Sequence, residues 1–219
     1  MKSNEPTPRE RIILIGAGGH AKSVIGVLER EDRWDLVGLL DDDPRTDSVL
    51  DYPVLGDREK APDLHDSGIT RAHVSIGDNA TRSTLASEMA EIGFTLVSIF
   101  DPTAVQFDHT RVGAGSFIHA YAVLGATVQI GDLAIISVHA AVGHDSVLGN
   151  SVHLAPKVQL AGDVKVGDGT FLGTGTVVLP GVTIGTGVVV GADSLVNQDV
   201  EDNTVVAGVP ARPLKQDRR

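Results

Sequence analysis

The chain of 219 residues contains no cysteine, a single tryptophan and only 4% aromatic residues. Without cysteine it can form no disulfide, no thiolate metal site and no cysteine nucleophile. No stretch approaches the roughly 20 apolar residues that cross a bilayer, and the polar opening MKSNEPTPRE lacks the apolar core of a secretory signal. A net charge of −11 disfavours binding to nucleic acid. We therefore expect a cytoplasmic protein with neither a membrane nor a nucleic-acid partner.

Charge divides the chain into two halves. Residues 1–111 carry 32 Asp, Glu, Lys and Arg residues, whereas residues 112–201 carry nine. In the first half, apolar runs alternate with helical patterns, which predicts an α/β domain with a small parallel sheet and a domain boundary near residues 100–111, taken as 1–100 and 101–219. The predicted strands are Arg11–Ile15, Leu36–Leu40, His73–Ile76 and Thr95–Ile99. The predicted helices are Ala21–Arg30 and a helix from Asn79 to about Ile92, capped by Asp78.

The second half repeats every six residues. From Val112 to Val196, every sixth residue is Ile, Leu or Val without exception, and a mostly small residue follows four positions later. Glycine comes directly after nine of these fifteen guide residues. A unit this short buries nothing alone, but stacked units bury one another. Three units make a triangular coil of 18 residues, so the repeat predicts a parallel β-helix of about five coils.

The chain resembles the hexapeptide-repeat acyltransferases that fold as a left-handed parallel β-helix. Over nearly its whole length it is similar to the sugar O-acyltransferase family, which contains sialic-acid O-acetyltransferases and nucleotide-sugar N-acetyltransferases for 4-amino sugars. The matching strings are ILIGAGGHAK at 13–22, LLDDD at 39–43, IGDNATR at 76–82, VGHDSVLGNSVHLAP at 142–156, LAGDVKVGDGTFLG at 160–173 and VVAGVPAR at 205–212.

His144 is the candidate general base. Its neighbours one coil away are Ala126 and Gly162, and small neighbours leave room for a substrate. Asp145 follows directly, and a carboxylate beside an imidazole fixes its tautomer and raises its basicity. The resemblance implies the same roles: proton acceptor for His144 and support from Asp145. Many relatives have glutamate at that position, so it is open whether the carboxylate of the shorter aspartate reaches the imidazole of His144.

The resemblance also implies a site for the acyl donor, acetyl-CoA, as co-substrate. His153 matches a histidine that contacts acetyl-CoA, and Thr174 and Ala192 match positions facing the CoA arm. The Gly162 backbone is a candidate donor to the developing oxyanion. The family has asparagine where this chain has Ser137, which puts one amide contact in question. A basic C-terminal cluster suits CoA phosphates; it comprises Arg212, Lys215, Arg218 and Arg219.

The first half contains a candidate phosphate loop, Gly16–His20, between a strand and a helix. Followed by Asp41, it is also similar to the NAD fingerprint, so the motif alone is ambiguous. The resemblance implies that this domain holds the nucleotide of a nucleotide sugar. The matching positions are Gly18, Gly19, His20, Asp41, Asp42 and Gly77. No histidine spacing favours a metal ligand set, and we expect no metal.

The sequence therefore predicts an acetyl-CoA-dependent N-acetyltransferase acting on a nucleotide-linked amino sugar of the 4-amino-4,6-dideoxy type, by direct attack with no acyl-enzyme. The resemblance implies a homotrimer with clefts between neighbouring prisms. Three alternatives stay open: a sugar O-acetyltransferase, an NAD-binding oxidoreductase joined to a passive β-helix, and a non-catalytic trimeric scaffold.

Overall fold

In the computed structural model, which describes residues 9–214, the chain starts with an α/β layer. Its six strands stand in the order β3-β4-β2-β1-β5-β6 and are parallel except for the hairpin of β3 and β4. The strands are β1 Glu10–Ile15, β2 Trp34–Leu40, β3 Ser48–Val49, β4 Tyr52–Gly56, β5 Arg71–Val74 and β6 Thr95–Leu96. The helices are α1 Gly19–Leu28, α2 Ala61–Asp66 and α3 Asn79–Ile92, with a 3₁₀ turn at Arg58–Lys60. None of these helices is long and apolar enough to span a membrane.

Helix α3 has the predicted bounds because both ends carry clear signals. The Asp78 carboxylate accepts the Thr81 N–H at 2.8 Å, which caps the first turn. Gly93 ends the helix with φ +115°, a left-handed conformation that glycine adopts without a Cβ clash. Helix α1 starts two residues earlier than predicted. Its N-cap residue, Gly18, has no side chain that could cap the helix, so the sequence carries no capping signal at this start.

The predicted strand Thr95–Ile99 is wrong as a single element. Thr95–Leu96 pairs with β5, but the Ile99 N–H donates to the Ser116 carbonyl, so β7 (Ile99–Phe100) already belongs to the second half. The apolar run continues across this change of sheet, so its pattern cannot show the break. The predicted strand His73–Ile76 also lies two residues earlier, as β5. Neither the β3–β4 hairpin nor α2 was predicted.

The second half is a parallel β-helix of two-residue strands. Strands of one face pair 18 residues apart, as Ile118 does with Ile136, which confirms the three-unit coil. The last coil is shorter, because Val189 pairs with Val205. Face 1 contains β7, β10 Phe117–Ile118, β13 Ile135–Ile136, β16 His153–Leu154, β19 Phe171–Leu172, β22 Val189–Val190, β24 Val205–Gly208 and β25 Ala211–Pro213. Face 2 contains β8 Val105–Gln106, β11 Val123–Leu124, β14 Ala141–Val142, β17 Gln159–Leu160, β20 Val177–Val178 and β23 Leu195–Val196. Face 3 contains β9 Arg111–Val112, β12 Gln129–Ile130, β15 Val147–Leu148, β18 Lys165–Val166 and β21 Thr183–Ile184.

The guide residues form the prism core. All are buried except Val112, which is half-buried at the open first coil. The small residues four positions later also point inward. Where they are Ser or Thr, the hydroxyl forms hydrogen bonds with the backbone. Ser146 shows the pattern: its Oγ accepts the Val164 N–H of the next coil at 3.1 Å and donates to the Ala161 carbonyl at 3.2 Å. The buried hydroxyl is tolerated because it forms both hydrogen bonds, each with a backbone group of the next coil.

The α/β layer packs on face 1. Outward-facing Phe117 and Ile135 join the apolar cluster formed by α1, β1 and β2. Arg82 of α3 spans the junction: its guanidinium donates to the Ile76 and Leu133 carbonyls at 3.0 and 2.8 Å and to the Ser151 carbonyl at 3.1 Å. The prism and the α/β layer are therefore held in one arrangement by both apolar and polar contacts.

Candidate active site

His144 lies at the corner between faces 2 and 3, which we call the His144 corner and define as residues 107–110, 125–128, 143–146 and 161–164. The guide residue Val142 is buried on face 2, so the chain turns outward directly after it. The His144 side chain is 70% exposed. Its ring lies against Gly162, where an added Cβ would come within 2.6 Å of both Cε1 and Nε2. The small neighbour expected above the imidazole is therefore in place, and a larger residue there would displace the ring.

Asp145 reaches His144 despite its short side chain. One carboxylate oxygen, Oδ2, lies 2.8 Å from His144 Nδ1. The other, Oδ1, accepts the hydroxyl of Thr127 at 2.6 Å. Hydrogen bonding first to Thr127 and then to His144 lowers the pKa of Asp145 below its ordinary value. The carboxylate is therefore ionised at neutral pH, and it stabilises the His144 tautomer that has its proton on Nδ1 and its lone pair on Nε2.

Gly162 offers a backbone N–H beside the imidazole. Among the residues that the structure describes, this N–H donates to no protein acceptor. At the corner between faces 3 and 1, the equivalent N–H groups are capped by side chains of the next coil, namely those of Asp132, Asn150 and Asp168. The His144 corner lacks such caps, so the Gly162 N–H is free for a ligand.

His153 lies elsewhere, in a cleft of about 910 Å³ between the start of α3 and face 1. Its ring packs edge-on against Phe171 at 5.1 Å, and Nδ1 lies 3.2 Å from the Gly77 carbonyl. That contact requires a proton on Nδ1, which leaves Nε2 as an acceptor. Burial, followed by the charge of Arg82, lowers the pKa of His153 to about 4. His153 and Gly77, predicted for different ligands, thus share one cleft.

His20 is half-buried at the same junction and does not line the phosphate-loop cavity. Its ring meets Phe117 edge-on at 5.3 Å, and its Nε2 is buried without a protein partner. Burial, with smaller effects from His73, His153 and Arg82, lowers its pKa to about 3. His73, from β5, is completely buried, and burial lowers its pKa to about 4. These histidines are neutral at physiological pH.

The phosphate loop borders its own cavity of about 720 Å³, lined by Gly18, Gly19, Lys22 and Asp41. Asp41 closes the loop onto β2, because its Oδ2 accepts the Ala17 N–H at 2.7 Å. Asp42 turns away and forms an ion pair with Arg58, with 3.2 Å between Oδ2 and Nε. Lys22 adds a positive charge that suits a phosphate.

The remaining candidates lie on the corner between faces 1 and 2. Thr174 and Ala192 are exposed and stacked one coil apart, and Ser137 is buried there, two coils before Thr174. Arg212 is exposed near the C-terminal end of the prism. Lys215, Arg218 and Arg219 lie outside the described residues. Within one protomer, the candidate site residues therefore occupy separate corners and cavities.

Sequence reasoning missed Thr127 and Arg82. Thr127 lies 18 residues before Asp145, so only the coil register brings them together. The IGDNATR string contains Arg82, but nothing in the string says that its side chain is buried. Within residues 9–214, no group of three or more histidine and acidic side chains is placed to hold a metal ion.

Comparisons with known proteins match both halves. The PglD N-terminal domain profile matches residues 11–89, and the bacterial transferase hexapeptide profile (six repeats) matches residues 163–198. Perosamine N-acetyltransferase from Caulobacter crescentus, solved as a histidine variant with CoA and GDP-perosamine, is 41% identical with a TM-score of 0.91, covering 94% of this chain and 97% of that chain. The acetyltransferase domain of PglB from Neisseria gonorrhoeae is 31% identical with a TM-score of 0.88, covering 94% and 100%.

A curated relative, the GDP-perosamine N-acetyltransferase of Escherichia coli O157:H7, is 26% identical over 139 residues, which span 60% of this chain and 61% of that protein. The aligned part is thus less than two thirds of that relative's length. The matches confirm the predicted fold class, an α/β domain followed by a left-handed parallel β-helix of hexapeptide repeats.

Proposed function

The chain belongs to the hexapeptide-repeat family of nucleotide-sugar N-acetyltransferases, and on this premise we propose that it transfers the acetyl group of acetyl-CoA to the 4-amino group of a nucleotide-linked 4-amino-4,6-dideoxy sugar. The similar Caulobacter protein was solved with CoA and GDP-perosamine, so a GDP-linked sugar is the first acceptor to test. The observation that carries the proposal is the imidazole–carboxylate pair of His144 and Asp145, exposed beside the free Gly162 N–H.

In the proposed reaction, His144 is the general base. Asp145 holds the proton on Nδ1, so Nε2 accepts a proton from the sugar amine as its nitrogen attacks the thioester carbonyl. The tetrahedral intermediate then collapses: the C–S bond breaks, an amide forms, and the thiolate of CoA takes the proton back from His144. No covalent enzyme intermediate is needed, in keeping with the absence of cysteine.

The oxyanion of the tetrahedral intermediate needs a donor that is already in place. The Gly162 N–H fits this role, because it borders the imidazole and has no partner among the described residues. One such donor typically contributes about 10²–10³ in rate. A side chain on residue 162 would push the ring aside, so glycine also permits the approach of the substrate to Nε2.

We assign the glycine-loop cavity to the nucleotide. Backbone N–H groups at the start of α1, together with Lys22, suit the diphosphate, with Gly18 and Gly19 letting it approach closely. Asp41 lines this cavity, whereas Asp42 pairs with Arg58 outside it and Gly77 lies in the separate cleft of His153. His20, in the first turn of α1, packs against Phe117 and does not line this cavity.

We assign His153, Thr174 and Ala192 to acetyl-CoA, with Gly162. A neutral His153 presents its Nε2 as an acceptor, which fits an amide N–H of the pantetheine arm. Because these residues lie on different sides of one prism, we propose that each complete site is assembled between neighbouring protomers of a homotrimer. Acetyl-CoA is made in the cytoplasm, where we expect the enzyme to act.

The test is acetyl transfer with defined acceptors. Purified protein is incubated with acetyl-CoA and 4-amino-4,6-dideoxy sugars linked to GDP, UDP or dTDP, and mass spectrometry follows the gain of one acetyl group. We expect N-acetylation of a nucleotide amino sugar and none of the matched 4-hydroxy sugar. Acetylation of hydroxyl acceptors alone would establish the competing O-acetyltransferase instead, and binding of NADH without CoA would favour a dinucleotide enzyme.

A further inference from the structure

Thr127 occupies the same corner as His144, one coil earlier. Its hydroxyl oxygen lies 2.6 Å from Asp145 Oδ1, while Asp145 Oδ2 lies 2.8 Å from His144 Nδ1. The three side chains form a continuous row along the edge of the prism. We propose that Thr127 is a positioning residue, which orients the His144 base by anchoring the carboxylate of Asp145. The proposal rests on the proposed function of His144.

The carboxylate needs such an anchor. The Asp145 side chain is 61% exposed, so packing restrains it little. Among the described residues, its side chain bonds only to Thr127 and His144. A carboxylate held by one oxygen points the other in a fixed direction, and this direction is toward Nδ1.

The single hydroxyl proton of Thr127 is directed to this carboxylate. The Ala126 carbonyl oxygen also lies close to Oγ1. An ionised carboxylate is the stronger acceptor, because charge-assisted hydrogen bonds are shorter and stronger than neutral ones. Two other acidic groups lie on this corner, and neither side chain has a hydrogen-bond partner among the described residues: Asp108, one coil earlier, whose carbonyl accepts the Thr127 N–H, and Asp163, one coil later, whose N–H donates to the His144 carbonyl.

The backbone makes threonine an unexpected residue here. Thr127 has φ +64°, and the equivalent residues of this corner, His109, Asp145 and Asp163, are also left-handed. The coil therefore imposes this conformation. Glycine, asparagine and aspartate adopt it most easily, whereas a β-branched residue is strained. Within residues 9–214, Thr127 is the only β-branched residue with positive φ. What threonine contributes at this position is a hydroxyl that donates a hydrogen bond to Asp145.

The test compares three variants. Thr127→Val keeps the shape and the β-branched strain but removes the hydroxyl, and we expect kcat to fall roughly tenfold, part of the 10²–10⁴ that a positioned base contributes. KM for both substrates and the melting temperature stay near wild type. Thr127→Ser restores the hydroxyl and retains kcat within about twofold. The matched control is Thr110→Val, which removes a hydroxyl bonded to the Gly125 carbonyl on the same corner, away from Asp145, and leaves kcat unchanged.

A double-mutant cycle separates positioning from a direct role. In an Asp145→Ala background, Thr127→Val should lower kcat no further, because the group through which it acts is gone. An equal loss in both backgrounds, or an unchanged kcat in Thr127→Val, would overturn the proposal.

A measurement on the resting enzyme keeps this proposal separate from the proposed function. Nitrogen NMR of histidine-labelled protein reports the His144 tautomer without any substrate. We expect the Nδ1–H form in wild type and in Thr127→Ser, and a shift of several fold toward the Nε2–H form in Thr127→Val. If Thr127→Val has the same His144 tautomer as wild type, the role of Thr127 is refuted. If the tautomer shifts in Thr127→Val but the wild-type enzyme transfers no acetyl group, only the proposed function is refuted.

Discussion

His144 and Asp145 are adjacent in sequence, yet adjacency alone does not make two side chains touch. At the His144 corner, Asp145 has φ +63°, and this left-handed backbone turns its carboxylate back toward the imidazole. The guide residue Val142 pins the start of the turn in the core. The backbone of the corner is thus anchored in the core, while the imidazole that it carries stays exposed.

Replacing His144 with alanine should abolish acetyl transfer without disturbing the fold. The side chain is 70% exposed and packs on no core residue, so the melting temperature should stay within error. Loss of a positioned general base lowers kcat by about 10²–10⁴. Steady-state kinetics and thermal unfolding check both expectations. His109→Ala, an exposed histidine two coils earlier on the same edge, is the control and should keep full activity. Full activity in His144→Ala would require a different base.

His73 should make the protein lose stability in acid. Burial lowers the pKa of this histidine from 6.5 to about 4, so below pH 6.5 the unfolded chain binds a proton that the folded chain refuses. Unfolding then takes up protons, and the free energy of unfolding falls as pH drops from 6.5 toward 4, by up to about 1.4 kcal/mol per pKa unit.

Urea denaturation at several pH values measures this slope. His73→Asn, which keeps a donor for the Val97 carbonyl, should flatten the acid slope without removing it, because desolvation also lowers the pKa values of His20 and His153. His139→Asn, at an exposed corner, should leave the slope as in wild type. An unchanged slope in His73→Asn would mean that other groups cause the acid loss.

At the element scale, the six-residue period predicted the β-helix because each unit is a local signal repeated without a gap. The first half was harder. Leu96 to Ile99 forms one apolar pattern although the chain changes sheets within it, and α2 starts at Ala61 with only Pro62 as a signal. The pair His144–Asp145 was visible in the sequence, whereas Thr127 and Arg82 act across coils or domains. Their contacts depend on register and burial, which residue types alone do not encode.

Leu154 tests how much one guide residue contributes to its coil. It is completely buried on face 1 between Ile136 and Leu172, and its neighbours are held by the coils above and below, so a cavity there cannot collapse. Leu154→Ala should lower the free energy of unfolding by about 2–5 kcal/mol. Val147→Ala, whose side chain is exposed on face 3, should lower it by under about 1 kcal/mol. Equal effects in chemical denaturation would contradict a core built on the guide series.

On the scale of the whole molecule, Arg82 connects the α/β layer to the prism. Arg82 is 1% exposed, and its guanidinium bonds to carbonyls from both parts and to Asn79, with no carboxylate among its partners in the described residues. One of the same carbonyls, that of Gly77, also accepts His153 Nδ1. The buried guanidinium thus fixes the position of the Gly77 carbonyl, which in turn orients the ring of His153.

Arg82→Met fills similar volume but leaves several buried carbonyls without a donor. We expect the free energy of unfolding to fall by at least about 3 kcal/mol, since several hydrogen bonds to a charged group are lost and each is worth about 1.5–3 kcal/mol. Arg58→Met removes only exposed ion pairs with Asp42 and Glu88 and should cost less than about 1 kcal/mol. Denaturation curves for both variants decide. A loss below that of Arg58→Met would show that apolar packing alone holds the junction.

The last prediction concerns the proposed assembly between protomers. In one chain, His144 and the glycine-loop cavity lie on different sides of the molecule, so neither can complete a site by itself. Gly18→Asp suits a test, because Gly18 has φ −80°, an added Cβ meets nothing within 4 Å, and the new carboxylate repels a phosphate. Trimers of His144→Ala alone or of Gly18→Asp alone should both be inactive.

Mixed trimers, formed by unfolding and refolding the two variants together, distinguish the possibilities. If a site takes its base from one protomer and its nucleotide loop from the next, an equal mixture contains roughly a quarter of intact sites, since each half is intact with a probability of about one half. Recovery of about a quarter of wild-type kcat per site, measured by release of the CoA thiol, would support the shared site. A mixture as inactive as its parents would place the base and the loop of each site in the same protomer and overturn their sharing between protomers.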